Sequence, residues 1–374
     1  MNSNQITAII QEILEKSGGK GVQTKSLMAV VGSFKDAVSE LKKIDTLVTE
    51  ISKANRSLSK SDLAKIADTS YDAASKYGKL AADYLADVKA MEKAGYKSAQ
   101  SMAELSTAAQ SAGNMTADLA NKYIITTDNA YKLNGNVKAL TESLDGASNI
   151  ASNHGIKMSE LAEGMSMISS QAAASGMDLD ETTAALATMI ATTQQSGAEM
   201  AHAFENILTN IQQMTGSIDD SALKGPMEIL KELSVEYEKL DKMGTNGKSL
   251  LSSMDDENSS NALKAIVENY DMYEKLLKEY ENGSGTMARE AEKTANSWEG
   301  SLNRVKNTWT DTVENIADSD AIIALINSLN GLLTVINSIT DSLGSFGTLA
   351  TGTAITAFVK NFDWFCNMNC LKIA

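Results

Sequence analysis

The chain reads as an all-α protein: an elongated array of amphipathic helices around a compact core of small residues. Three observations predict this. Pro226 is the one proline in 374 residues, so long helices run without the residue that most strongly breaks them. Aromatic residues make up 5% of the chain. With so many Ala, Ser and Thr, that favours thin helical layers over one large core. The third observation is a spaced repeat at Gly155-Ile156-Lys157-Met158-Ser159-Glu160, Gly176-Met177-Asp178-Leu179-Asp180-Glu181 and Gly197-Ala198-Glu199-Met200-Ala201-His202. Its glycines fall 21 residues apart. Glycine readily takes the left-handed conformation that stops a helix, and a following polar residue caps the next one. The spacing predicts helices of roughly 15 residues, about four turns each.

The first element is a short amphipathic helix over 5–16, with Ile6, Ile9, Ile10, Ile13 and Leu14 on one side and a break at Ser17-Gly18-Gly19-Lys20-Gly21. Leu27, Val31, Phe34, Val38, Leu41, Ile44, Val48 and Ile51 then form a heptad seam, which slips at Asp45. Such a seam packs on a partner helix or on a copy of itself. Ser61 and Asp62 offer an N-cap for one helix running to Lys93, which Gly78 weakens and Ala94-Gly95 closes. The small-residue core follows over 96–215, with helices parted near Gly113, Gly135, Gly155, Gly176 and Gly197. Met158, Met165, Met167, Met177, Met189 and Met200 read as adaptable core filler.

Gly225-Pro226 restarts the chain, since proline suits the first helical position. Amphipathic helices are predicted over 227–242 and 261–281, with Asp255–Ser260 as a polar loop between them. After Asn282-Gly283-Ser284-Gly285, a helix carries a seam of Trp298, Leu302, Val305, Trp309, Val313 and Ile316. Residues 321–359 hold a single charge, Asp341; Asn327, Asn330 and Asn337 interrupt the first half, and Ser, Thr and Gly dilute the second. This stretch reads as a helix buried against another protein rather than a membrane span. The organisation is therefore 1–60 with the seam, 61–218 as the core, 219–320 as amphipathic helices, and 321–374 as an apolar end.

Charge is uneven. The net is +3 over residues 1–100, −10 over 101–220 and −8 over 221–374. An acidic middle repels phosphate backbones, so no stable nucleic-acid binding is expected. No basic, apolar leader opens the chain, so no signal peptide is expected.

No phosphate-binding loop, dinucleotide turn, zinc-protease motif or nucleophile elbow is present. Cys366 and Cys370 supply at most half a zinc site, and His154 and His202 lie far from them in sequence. Asp178, Asp180 and Glu181 are explained by the positive end of a helix dipole. Ser33 and Ser166 have no His–Asp pair nearby in sequence. The expectation is no catalytic residue, no cofactor, no metal and no enzyme activity.

Several stretches together resemble the core of tailed-phage tape measure proteins. They are Asp145-Gly146-Ala147-Ser148-Asn149-Ile150-Ala151-Ser152, Ser159–Gly164, the run at 172–177, and Gly197–Ile211. Ala94-Gly95-Tyr96, Ser111–Met115 and Thr127–Lys132 are similar too, and the likeness covers about 60–320. It implies a helical virion protein that sets tail length and fills the tail tube before DNA ejection, and that is made in the bacterial cytoplasm. The implied partners are the tail tube, tail chaperone and tail-tip proteins, its own copies through helix seams, and the host membrane. It implies no catalytic residues. Tape measure proteins are usually much longer, so the expectation is a partial or truncated copy. The alternative is a secreted or membrane-active helical protein inserting through 321–359.

Overall fold

The computed structural model describes residues 20–215, 224–242 and 256–316. Among them there are fourteen α-helices and no strand. The all-α prediction holds. No described helix is long and apolar enough to cross a membrane. The predicted helix over 5–16, the apolar stretch 321–359 and the two cysteines lie outside the described residues.

The helices are α1 (Lys20–Ala54), α2 (Lys60–Lys76), α3 (Ala81–Lys93), α4 (Ala99–Gly113), α5 (Ala117–Tyr131), α6 (Val137–His154) and α7 (Met158–Ala174). They continue as α8 (Leu179–Thr193), α9 (Gly197–Thr215), α10 (Pro226–Lys242), α11 (Glu257–Glu268), α12 (Tyr270–Glu281), α13 (Thr286–Ala295) and α14 (Trp298–Ile316). The chain divides into two compact units, and one of them runs from Thr46 to Asn307. The described part of the other is residues 20–45 and 308–316, the opening of α1 and the close of α14.

Within Thr46–Asn307, α7 packs between α5 and α9, while α8 packs against α11 and α12. α13 lies along α4 and α6, and α3 lies along α4. Helices from the stretch read as 219–320 thus complete the same hydrophobic core as the small-residue helices. Its centre holds Leu144, Ile150, Leu161, Met165, Leu186, Met189, Phe204 and Ile266, all essentially without solvent exposure. Of the six methionines, five are buried and Met167 is half-buried.

Local signals set the helix ends. Ser59, rather than Ser61, caps α2, in a capping box closed by Asp62. Thr116, Asn136 and Ser196 cap α5, α6 and α9 by accepting from the N–H three residues on. Pro226 opens α10 as expected. Of the polar stretch read as a loop at 255–260, the described residues 256–260 are instead a helix start. Asp256 accepts from the Ser259 N–H at 2.8 Å, and α11 begins at Glu257.

Three predicted helices are broken. The one over 61–93 splits at Gly78, which has φ +69° and lets the backbone reverse into a new helix at Ala81. The one over 261–281 splits at Asn269, whose side chain donates to the Ala265 carbonyl and takes over one of the bonds that ending the helix leaves open. The stretch after Gly285 splits at Asn296-Ser297, where the Ser297 hydroxyl caps α14 by accepting from Gly300 N–H.

The glycine repeat also divides. Gly155 and Gly176 end α6 and α7 with φ +65° and +84°, as their spacing predicts. Gly197 does not stop a helix. It is the first residue of α9, and Gln194 makes the left-handed stop before it with φ +57°. What requires glycine at 197 is contact: a Cβ there would overlap the Glu160 carbonyl. Gly164 faces the Gly197 carbonyl in the same way. Two glycines therefore bring α7 and α9 close together, and Glu160 Oε2 accepts from Gly197 N–H at 3.0 Å.

Candidate functional site

The densest polar arrangement lies where α6 meets the turn between α12 and α13. Asp145 sits inside α6, buried, on the face turned to that turn. Its carboxylate accepts from the N–H of Gly285 at 2.7 Å and of Met287 at 2.9 Å. It thus caps α13 from a distant helix and places negative charge at that helix's positive end. Gly146 gives the room, because a Cβ there would lie 2.5 Å from the Tyr280 ring. Asn149 Nδ2 donates to the Glu279 carbonyl at 2.8 Å. One turn on, His154 Nε2 lies 2.8 Å from Glu279 Oε2. Burial pushes the Glu279 carboxyl up, but the bonds from His154 and Asn153 outweigh it and hold the group below its usual value.

A second arrangement joins α3, α4 and α5. Asp87 is fully buried and accepts from Thr107 Oγ1 at 3.1 Å, Gln110 Nε2 at 2.6 Å and Asn121 Nδ2 at 2.8 Å. All three donors are neutral. Burial therefore dominates and pushes the carboxyl from 3.8 up to about 6, against the lowering effect of those bonds.

A third arrangement secures the break between α2 and α3. Asn307 Nδ2 donates to the Lys79 carbonyl and to Ser75 Oγ, and Asn307 Oδ1 accepts from Ala81 N–H. Asn303 donates to the Gly78 carbonyl, and Arg304 to the Ser75 carbonyl. One face of α14 thus satisfies the groups left open at the end of α2 and the start of α3.

Asp87, Asp145, Asn149 and Asn307 are committed to backbone or to neutral side chains, while Glu279 is held by His154, Asn153 and Lys275. The arrangements clamp helices together, and the one imidazole–carboxylate pair among them, His154 with Glu279, ties α6 to α12. A surface groove of about 240 Å³, lined by Gly113, Asn114, Ser148, Ser152, Lys157 and Ser159, carries hydroxyls, a carboxamide and one lysine but no carboxylate or imidazole. Among the described residues no group of three His, Cys, Asp or Glu could hold a metal ion. His154 is half-buried on Glu279, and His202 is exposed on α9. The structure does not bring them together with each other or, among the described residues, with a third ligand. Asp178 and Glu181 form the capping box of α8, the helix-start role read from the sequence.

Sequence reading did not single out Asp87, Asp145 or Asn307. A signal existed for Asp87, which falls three residues after Tyr84 and four before Met91 on an apolar face. Nothing local marks Asn307.

The clamps span most of one continuous stretch, and the family model for phage-related minor tail proteins matches residues 71–326. This chain belongs to the phage-related minor tail protein family. The match begins in α2 and runs past the end of α14, so all three clamps fall within it. No curated protein and no solved structure matches the chain. As a minor tail protein it is a structural component of a phage tail that associates with other tail components. The stretch Asp145–Ser152, one carrier of the tape-measure resemblance, is where this family member anchors α12 and α13.

Proposed function

We propose that this minor tail protein is a tail tape measure, housed in the lumen of the tail tube before DNA leaves. The observation that carries this reading is a helix of 35 residues with a heptad seam, α1, which precedes the family-matched stretch. At 1.5 Å per residue it is about 50 Å long, a rod whose length follows residue number. The acidic charge of 101–220 supports a lumen position, since it lets DNA pass without binding it. The clamped core serves as the docking body for tail-tip, tube and chaperone proteins, and the seams serve association between copies. The apolar stretch 321–359 meets the host membrane on ejection. No step requires catalysis by this chain.

The test is removal of whole heptads from α1 in the phage, with tail length measured by electron microscopy. Each heptad removed should shorten the tail by about 10 Å per helical heptad. Tails of unchanged length with the variant incorporated would sink the reading.

A further inference from the structure

The first half of α14, up to Asn307, is docked by its polar side, although Val313, further along the apolar stripe, is buried. The inward face of this half holds Asn307, which is 2% exposed and, with Asn303 and Arg304, secures the break between α2 and α3. At roughly 100° per residue the opposite side carries Trp298, Leu302 and Val305 within an arc of about 60°. Trp298 is 74% exposed and Val305 41%, and Leu302 is half-buried between them. A helix that only had to pack on this core would turn these three residues inward. Their 4, 3 spacing is that of a helix–helix seam.

We propose that this stripe pairs antiparallel with the same stripe on a second copy of the chain. With Trp298 and Val305 at d positions and Leu302 at a, the exposed Glu299 and Lys306 both fall at e. Antiparallel pairing sets e against e. When Leu302 faces Val305 of the other copy, Glu299 comes within about half a turn of Lys306 of that copy, and symmetry makes the pair twice. A parallel pair sets Lys306 against Ser301 and gains no opposite charge. The flank of the stripe is thus self-complementary in one orientation. The inference goes beyond the proposed function and concerns pairing of the free chain in solution. It is read from mass in solution, not from tail length, so either can fail without the other.

The test uses the purified full chain under reducing conditions, with mass followed against concentration by analytical ultracentrifugation. A seam this short buries less than the roughly 1,200–2,000 Å² of a stable complex, so a concentration-dependent monomer–dimer equilibrium is expected. Glu299→Lys and Lys306→Glu should each weaken it roughly three- to ten-fold at low salt. The two single variants mixed in equal amounts should associate as tightly as the original chain, because every cross-copy pair is then opposite in charge. The double exchange should also restore pairing. Val305→Glu should abolish it while leaving helicity and melting of the monomer unchanged, since the residue is exposed. A chain that stays monomeric throughout its soluble range overturns the proposal. So does a dimer indifferent to Val305→Glu, or single variants that the mixture does not rescue. A monomer that binds another tail component through Trp298 assigns the stripe to that partner and equally overturns it.

Discussion

The Asp145 carboxylate receives the Gly285 N–H at 2.7 Å, across 140 positions of sequence. A second N–H, that of Met287, reaches its other oxygen, so one side chain satisfies two donors at the start of α13. Asp145→Ala should leave both buried or half-buried donors open and cost about 2–4 kcal/mol. Asp145→Asn keeps one acceptor and should cost roughly half as much. Urea unfolding of the three proteins checks this. Equal stability of Asp145→Ala and the parent would mean that water replaces the carboxylate there, and that Asp145 is not a clamp.

The glycines of the 21-residue repeat should respond very differently to alanine. Gly155 has φ +65° but open space around its missing Cβ. Its alanine variant should lose only the conformational cost, about 1 kcal/mol. Gly197 has ordinary helical geometry but sits on the Glu160 backbone. Alanine there must push α7 and α9 apart, which should cost about 3 kcal/mol or more. Thermal melts of the two variants decide between them, and an equal loss at both would refute the close-approach account of Gly197.

That contrast shows what the sequence could and could not reveal. Helix content, the small-residue core and most stops were legible, because proline scarcity, apolar period and capping residues act locally. The breaks at Gly78 and Asn269 were not. A glycine in an apolar run reads as a weak helix until something captures the freed backbone groups. At Gly78 the captor is Asn303 with its neighbours, more than 220 residues away. The α14 seam was correctly spaced, but its orientation depends on those same carboxamides. For the site, the expectation that Asp178 and Glu181 serve a helix start was legible for the same local reason. Asp87 and Asp145 were hidden because their partners come from other helices.

Asp87 should make the protein more stable as pH falls from 7 toward 4. Its folded carboxyl titrates at about 6, above its ordinary 3.8, because burial without a cation disfavours the charge. Between those values the folded chain takes up a proton that the unfolded chain does not, so folding gains free energy as pH drops through 6 and the gain is complete below 3.8. The gain is about 2–3 kcal/mol at most. Asp87→Asn removes it. Subtracting the variant's stability–pH curve from the parent's should leave a rise toward acid between pH 6 and 4. A flat difference, or one that falls toward acid, contradicts the raised value.

The polar docking of the first half of α14 makes a prediction opposite to the usual rule for apolar and polar residues. Asn307 bonds three groups around the α2–α3 break, and it is buried. Asn307→Leu increases apolar character at a buried helix position, yet it strands the Ala81 N–H and the Lys79 carbonyl. The cost should be about 2–4 kcal/mol. Val305→Asn replaces an apolar residue of the seam by a polar one, yet its side chain already faces solvent. At dilutions where the chain is monomeric, that change should stay within about 0.5 kcal/mol. Urea unfolding of both variants at low concentration tests the pair together. A larger loss from Val305→Asn than from Asn307→Leu would mean that α14 docks through its apolar stripe and that its carboxamides are incidental.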